Sequence, residues 1–123
     1  MSVGGWHAAR DCKDQFDSVI NCAVDAPDYG GDWFPMVDGP GNETALMHNA
    51  IQCAVWHLSR NNRVLIHCMA GRSRSVVVAA AALSIVDKLS FDSALALIRT
   101  KRECEKHQPH AALIGLARSV LPV

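Results

Sequence analysis

Residues 64–75 constrain the fold of this chain more than any other stretch. They begin with an apolar, β-branched run, Val64 to Ile66, which is typical of a buried strand. After a short polar turn the chain continues into residues 76–83, a run too apolar for a helix that is exposed on one side. A buried strand, a tight turn and a buried helix therefore follow one another, and they place Cys68 at the N-terminus of the helix.

The turn carries side chains that suit the binding of a phosphoryl group. Backbone N–H groups at a helix N-terminus converge on one point and favour an anion there. The same surroundings favour the thiolate of Cys68, which is the nucleophilic form of a cysteine. Arg74 can fold back over the turn and hold two phosphoryl oxygens with its planar guanidinium. Gly71 allows a tight backbone, Ser75 can hydrogen-bond the sulfur, and His67 can fix the loop.

Residues 67–75 read His-Cys-Met-Ala-Gly-Arg-Ser-Arg-Ser, which resembles the His-Cys-x-x-Gly-x-x-Arg-Ser signature of the cysteine-based protein tyrosine phosphatases. The Ala-Gly-x-Ser-Arg-Ser form is similar to that of the dual-specificity subgroup. The resemblance covers roughly residues 17–121 and implies an α/β fold with a small, mainly parallel central sheet flanked by helices. It also implies that one contiguous loop binds the phosphate, through Met69, Ala70, Gly71, Arg72, Ser73 and Arg74.

Hydrophobic patterning predicts strands and helices in alternation along the rest of the chain. Apolar runs predict strands over residues 18–24 and 32–37, and Pro35 favours a sheet edge for the second. Apolar residues spaced by three and four predict helices, which cover residues 43–58, 74–88, 91–101 and 111–121. Met47 and Trp56 of the first helix are expected in the core. This alternation indicates a mainly parallel sheet with helices on both faces.

The ends of the predicted elements leave two further expectations. Residues 4–6 read as the tail of a first strand, and the N-terminus looks trimmed beside related phosphatases. Asn42 or Thr44 is expected to cap the helix over residues 43–58.

Length and charge agree with a single catalytic domain over residues 1–123. The chain has 123 residues, half of them hydrophobic, which is enough for one core and argues against disorder. Its net charge is zero, so no overall charge attracts nucleic acid, and we expect no nucleic-acid partner. The acidic residues are concentrated before residue 51 and the basic residues after it, in the part that holds the phosphate loop.

The cysteines and histidines show no metal-ligand spacing along the chain. The five cysteines, Cys12, Cys22, Cys53, Cys68 and Cys104, include no C-x-x-C pair, and the six histidines form no H-x-x-x-H pair. We therefore expect no metal and no cofactor. An odd number of cysteines without a signal peptide indicates a reducing, intracellular and cytoplasmic setting. No apolar run is long enough to span a membrane.

A phosphatase of this kind needs a carboxyl group on a mobile loop to protonate the leaving oxygen. The resemblance implies an Asp about thirty residues before the nucleophile. Asp38 lies 30 residues before Cys68, follows a predicted strand and has Gly39 and Gly41 nearby as hinges. Asp32 is the alternative acid. Gln108 stands 40 residues after Cys68, where related enzymes orient the hydrolytic water, although it also fits a solvated position.

These residues predict hydrolysis of phosphate monoesters through a cysteinyl-phosphate intermediate, with phosphotyrosine and phosphoserine or phosphothreonine as substrates. Arg72 supports an alternative function, a phosphatase of lipid or other small-molecule phosphates. Related lipid phosphatases often carry a basic residue at this position of the phosphate loop. Met69 stands where those enzymes often have Lys. A non-catalytic phosphate-binding module is a third reading, although such modules typically lose Cys, Arg or Asp. The partner is thus a phosphorylated protein or a small phosphate, and the sequence gives no oligomeric state.

Cys22 adds a regulatory hypothesis. It lies in the predicted strand over residues 18–24, which should neighbour the strand that leads to Cys68. A thiol at this place can capture an oxidised Cys68 as a disulfide, as some related phosphatases do. The alternative is that Cys22 is a small apolar residue of the core.

Overall fold

The computed structural model describes residues 1–104 and 107–122. Within these ranges the chain forms four strands and five α-helices. The strands are β1 (Ser2–Gly4), β2 (Ser18–Ala23), β3 (Asp32–Met36) and β4 (Val64–His67). The helices are α1 (Trp6–Cys12), α2 (Thr44–Leu58), α3 (Arg74–Val86), α4 (Phe91–Lys101) and α5 (Ala111–Val120).

The four strands form one sheet in the order β1-β4-β2-β3, and every neighbouring pair is parallel. The α/β fold with a small parallel sheet and flanking helices is confirmed, as are the edge position of β3 and the pairing of β2 with β4. Because all strands run the same way, their C-termini meet at one edge, here called the carboxyl edge, and their N-termini meet at the opposite amino edge. Each strand therefore delivers the residues that follow it to a single side of the molecule.

Helix α3 is the centre of the packing. Residues 76–82 are completely buried, and the helix contacts the sheet together with α2, α4 and α5. Its side chains are small, with four alanines from Ala79 to Ala82, so several elements approach it closely. The sequence-based expectation that this helix is covered on more than one side is confirmed.

Helix α2 buries one face and exposes the other. Met47, Ala50, Ile51 and Ala54 form the buried stripe, so the prediction for Met47 is confirmed. The prediction that Trp56 lies in the core is wrong, because its side chain is 51% exposed. Trp56 follows Ala54 by two residues, which turns it about 200° away from the stripe, and the Arg60 guanidinium lies 3.7 Å above its ring.

The first residues differ from the prediction. Residues 4–6 were expected to end a strand, but β1 ends at Gly4 and α1 begins at Trp6. Helix α1 has only seven residues and a single buried position, Ala9, so it carries no apolar stripe that a sequence pattern could reveal. In the ranges that the structure describes, no helix is both long enough and apolar enough to cross a membrane.

Candidate active site

The carboxyl edge gathers residues that are far apart in the chain. Strand β4 ends at His67 and leads into Cys68 and a turn that enters α3. Strand β2 leads to Asp25 and strand β3 leads to Asp38, so two carboxylates from separate loops arrive on the same side. Ligands of parallel α/β folds commonly bind outside the C-termini of the strands.

The Cys68 sulfur lies in a hydrogen-bonded position at the start of α3. The residue is 2% exposed. Its Sγ lies 3.1 Å from Ser75 Oγ and accepts a 3.3 Å hydrogen bond from the Gly71 N–H. When the sulfur is a thiolate, the Ser75 hydroxyl donates to it as well. The structure thus brings the predicted nucleophile together with two of its predicted partners.

The end of β1 closes one side of the phosphate loop. Gly71 has a φ of +72°, and a Cβ there would lie 2.5 Å from the Gly4 carbonyl carbon. A Cβ on Gly5 would likewise lie 2.7 Å from the Met69 oxygen, and the Trp6 N–H donates to that oxygen at 3.0 Å. Only glycine fits at position 71, because the backbone is left-handed there and no space remains for a side chain.

Arg102 holds the same loop from outside. Its Nε donates to the Gly71 carbonyl at 3.0 Å, and its Nη2 lies 3.5 Å from the Ala70 carbonyl oxygen. These two contacts hold the carbonyl groups of Ala70 and Gly71 toward Arg102, while the Gly71 N–H donates to the Cys68 sulfur. Sequence reasoning missed this residue, because it lies 31 residues from Gly71 without any motif to mark it.

Arg74 is buried and anchored by the ends of two strands. It is 5% exposed, and its Nη1 donates to Asp25 Oδ1 at 2.7 Å and to the Met36 carbonyl at 2.9 Å. Its Nε is buried and has no hydrogen-bond partner in the described structure. Hydrogen bonding to Arg74 lowers the pKa of Asp25 below its ordinary value, so this carboxylate is charged at neutral pH. The anchored guanidinium keeps its Nε free of hydrogen bonds to the described residues, and Nε with Nη2 is the pair of donors that a bidentate anion uses.

Asp38 reaches the phosphate loop through Ser73. Its Oδ1 accepts a 2.6 Å hydrogen bond from Ser73 Oγ, which in turn accepts the His110 N–H at 3.1 Å. Ser73 therefore joins the loop of Asp38, the phosphate loop and the start of α5. Asp38 itself is exposed and open to solvent.

Asn42 shapes the loop that carries Asp38. Its side chain both accepts from the Val37 N–H and donates to the Val37 carbonyl, each at 2.9 Å. The expectation that Asn42 or Thr44 caps α2 is wrong, because the N-cap is Glu43 and no side chain caps this helix. The amide of Asn42 fits the loop better than the helix end, because the loop offers it both a donor and an acceptor.

His67 is a buried neutral support for the loop. It is 1% exposed, and its Nδ1 lies 3.4 Å from the Cys68 carbonyl oxygen. A carbonyl only accepts, so Nδ1 carries the hydrogen. Burial lowers the pKa of His67, which keeps the ring neutral.

Three other candidate residues from the sequence make no hydrogen bond or ion pair with the side chains around Cys68 in the described structure. Arg72 is exposed and makes no hydrogen bond or ion pair with any residue in the described ranges. Gln108 is exposed and lies two residues before His110. Asp32 begins β3 at the amino edge, where it contacts Cys53 and His57 instead of the phosphate loop.

Asp25 is the second residue that the sequence did not reveal. It lies in the loop between β2 and β3, where Asp is a common turn residue. Its contact with Arg74 spans 49 residues. No local signal distinguishes it from Asp28 in the same loop, so only the folded backbone identifies it.

A family model and several solved structures are similar to this chain. The model described as dual specificity phosphatase, catalytic domain, matches residues 7–115. Human DUSP28 superposes with a TM-score of 0.82 at 18% identity, over 96% of this chain and 85% of that chain. A mouse putative dual specificity phosphatase, complexed with zinc tungstate, superposes with a TM-score of 0.76 at 19% identity. The match covers 95% of this chain and 79% of that chain.

A third similar structure is the human tyrosine phosphatase-like serine/threonine/tyrosine-interacting protein. It gives a TM-score of 0.72 at 17% identity, over 95% of this chain and 87% of that chain. Identities this low show a shared fold. No curated protein matches the sequence.

Proposed function

Because this chain belongs to the family of dual specificity phosphatase catalytic domains, we propose that it hydrolyses phosphate monoesters through a cysteinyl-phosphate intermediate. Phosphotyrosine and phosphoserine or phosphothreonine are the proposed substrates. The observation that carries the proposal is the 2.6 Å hydrogen bond between Asp38 and Ser73, which places a carboxyl group on the loop around Cys68. A thiol and a carboxyl group on one phosphate loop supply a nucleophile and an acid.

In the first step, the Cys68 thiolate attacks phosphorus in line with the leaving oxygen. The P–O bond breaks as the S–P bond forms, and Asp38 gives its proton to the departing alcohol or phenol. The backbone N–H groups of residues 69–74 and the Arg74 guanidinium hold the three equatorial oxygens. Ser75 donates a hydrogen bond to the sulfur.

In the second step, water attacks the phosphorus of the intermediate. The Asp38 carboxylate takes a proton from this water, the S–P bond breaks, and the electron pair returns to Cys68 as thiolate. Ser75 stabilises that leaving thiolate, since it lies 3.1 Å from the sulfur. Inorganic phosphate then leaves, and Asp38 is again protonated for the next turnover.

The first test replaces the nucleophile. Cys68→Ser is expected to abolish turnover of p-nitrophenyl phosphate while inorganic phosphate still binds, because the loop amides and Arg74 remain. Turnover is followed by absorbance and binding by calorimetry. Substantial residual turnover in this variant contradicts the assignment.

The second test concerns the acid. Asp38→Asn keeps an oxygen that can accept from Ser73 but removes the proton, so turnover of phenyl phosphate, a poor leaving group, should fall about 10²–10⁴-fold. The loss with p-nitrophenyl phosphate should be much smaller, and the alkaline fall of the pH–rate profile should disappear. Asp32→Asn is the control for the alternative acid. If Asp38→Asn lowers turnover of both substrates equally, Asp38 has a structural role and is not the general acid.

A second candidate function rests on Arg72. This side chain is exposed in the phosphate loop and unpaired within the described residues, so it can meet a second charge on a lipid or other small-molecule phosphate. Arg72→Leu should then lower kcat/KM for a multiply phosphorylated inositol lipid headgroup more than for a phosphotyrosine peptide. Equal changes for the two substrates leave protein phosphate esters as the substrate class.

A further inference from the structure

A mixed group of side chains lies at the amino edge, away from the phosphate loop. Asp32 begins β3, whereas Cys53 and His57 lie one helical turn apart on the same face of α2. The Cys53 thiol donates to Asp32 Oδ2 at 3.3 Å, and His57 Nε2 lies 3.5 Å from the same oxygen. One ligand atom from each residue lies within 4.8 Å of the other two. We propose that Asp32, Cys53 and His57 bind a zinc ion.

The chemistry of the three side chains selects zinc among common divalent cations. Thiolate sulfur, imidazole nitrogen and carboxylate oxygen are all zinc ligands, whereas calcium and magnesium take oxygen ligands. Tetrahedral coordination at ordinary bond lengths separates sulfur from oxygen by about 3.6 Å and nitrogen from oxygen by about 3.4 Å. The observed separations of 3.3 Å and 3.5 Å are close to these values, so small rotations of the side chains admit the ion.

A second residue orients the imidazole. The Asn62 Nδ2 lies 3.0 Å from His57 Nδ1. The two ends of an Asn amide exchange places on a half rotation, and the carbonyl oxygen then accepts a hydrogen bond from Nδ1–H. That hydrogen bond directs the lone pair of Nε2 toward the metal, which is the usual support for a histidine ligand. Asn62 is itself held by a hydrogen bond from its N–H to the His57 carbonyl at 3.2 Å.

The site is accessible and balanced in charge. Asp32 and His57 line a cavity of about 500 Å³, which offers a path of entry and space for a water molecule as fourth ligand. On binding, Cys53 releases its thiol proton to solvent, and the carboxylate and the thiolate together balance the two positive charges of zinc. The ion would join β3 to α2, the two elements that flank the loop of Asp38.

The experiment uses the full chain carrying Cys68→Ser, which removes the active-site thiolate as a competing ligand. We expect one zinc ion per chain by calorimetry, and with cobalt the near-ultraviolet sulfur-to-metal band of a thiolate complex. Cys53→Ser should abolish the band. His57→Gln should weaken zinc binding at least about 100-fold, and Asn62→Ala about 10–100-fold. Asn62→Asp should restore binding, because a carboxylate also accepts from Nδ1–H.

Matched controls use residues of the same types outside the group. Cys12→Ser and His48→Gln should leave zinc affinity unchanged, and His48 lies exposed on the same helix as the two ligands. Circular dichroism of each metal-free variant checks the fold. Absence of one-to-one binding overturns the proposal. A cobalt band that survives Cys53→Ser, or equal losses in the control variants, overturns it as well.

Discussion

At the scale of single residues, the contact between Asp25 and Arg74 connects an exposed loop to the arginine of the proposed phosphate site. The Arg74 side chain is 6% exposed and that of Asp25 is 53% exposed, so the pair joins a buried side chain to one at the surface. The carboxylate fixes Nη1 and thereby the orientation of the guanidinium in the proposed phosphate site. We infer that Asp25 is a positioning residue.

Asp25→Asn should weaken this anchoring, because the amide accepts a weaker hydrogen bond and carries no charge. A hydrogen bond between charged groups at a partly exposed site predicts a fall of about tenfold in kcat/KM. Vanadate affinity should fall by a similar factor, while the shape of the pH–rate profile stays the same. Asp28→Asn, in the same loop, should change neither quantity, and an altered pH profile in Asp25→Asn argues against positioning.

His67 makes stability depend on pH in a definite direction. Burial is the largest cause of its lowered pKa, so the unfolded chain binds a proton more readily than the folded chain. The neutral ring therefore contributes fully to the free energy of unfolding above its ordinary pKa of 6.5. This contribution is lost as the pH falls through the lower pKa of the folded state. Urea unfolding should show a lower midpoint at pH 5.5 than at pH 7.5.

His67→Asn should be less stable at both pH values, but the difference between them should shrink. An unchanged difference in this variant shows that other groups cause the loss of stability in acid.

At the scale of elements, the register of β2 against β4 places Cys22 beside the point where the chain leaves β4. Asn21 of β2 pairs with His67, the last residue of β4. Cys22 follows Asn21 in β2, and Cys68 directly follows β4. Cα atoms of adjacent strands lie about 4.8 Å apart, within the range that a disulfide spans. Burial raises the pKa of Cys22 well above its ordinary value, and Cys68 contributes to the shift. A neutral thiol attacks slowly, so a disulfide at this place forms faster as pH rises.

The expected redox behaviour follows from this register. Peroxide converts Cys68 to a sulfenic acid, and the Cys22 thiol then displaces water to form the disulfide. After dilute peroxide, dithiothreitol should restore activity in the natural protein but much less in Cys22→Ser, with peptide mapping to locate the bridge. Cys104→Ser is the buried control. Equal recovery in all three proteins, or a bridge to another cysteine, contradicts the hypothesis.

At the scale of the whole molecule, α3 connects the packing of the core to the loop around Cys68. Residues 76–82 touch neighbours on every side, so no side of this helix can accept added volume. Ala82→Leu should lower the free energy of unfolding by about 1–3 kcal/mol, because a leucine must displace packed side chains. The same change at the exposed Ala45 of α2 should stay within about 0.5 kcal/mol. Urea denaturation measures both, and equal effects contradict the central role of α3.

The sequence predicts those parts of the molecule that depend on neighbours along the chain. Periodicity located three of the strands and four of the helices, and a contiguous motif marked Cys68, Gly71 and Ser75. Asp38 required an expected spacing as well, because its contact with Ser73 spans 35 residues.

The remaining features arise from contacts through space. Asp25 and Arg102 have no motif, and Trp56 lies on a helix face that only the packing of α2 defines. The expectation of no metal considered spacing along the chain alone, whereas the group around Asp32 combines the start of an edge strand with one turn of a helix.

Because the four strands run in the same direction, the connections at the two edges of the sheet differ in how freely their lengths can change. Every connection that leaves a strand at the carboxyl edge touches the phosphate loop or its supports. The turn that enters β2 after the exposed Gln15 lies at the other end and outside the group around Asp32. Doubling a flexible loop there costs only about 0.6 kcal/mol of closure entropy. Natural insertions should therefore accumulate before β2, and lengths should stay fixed where strands end.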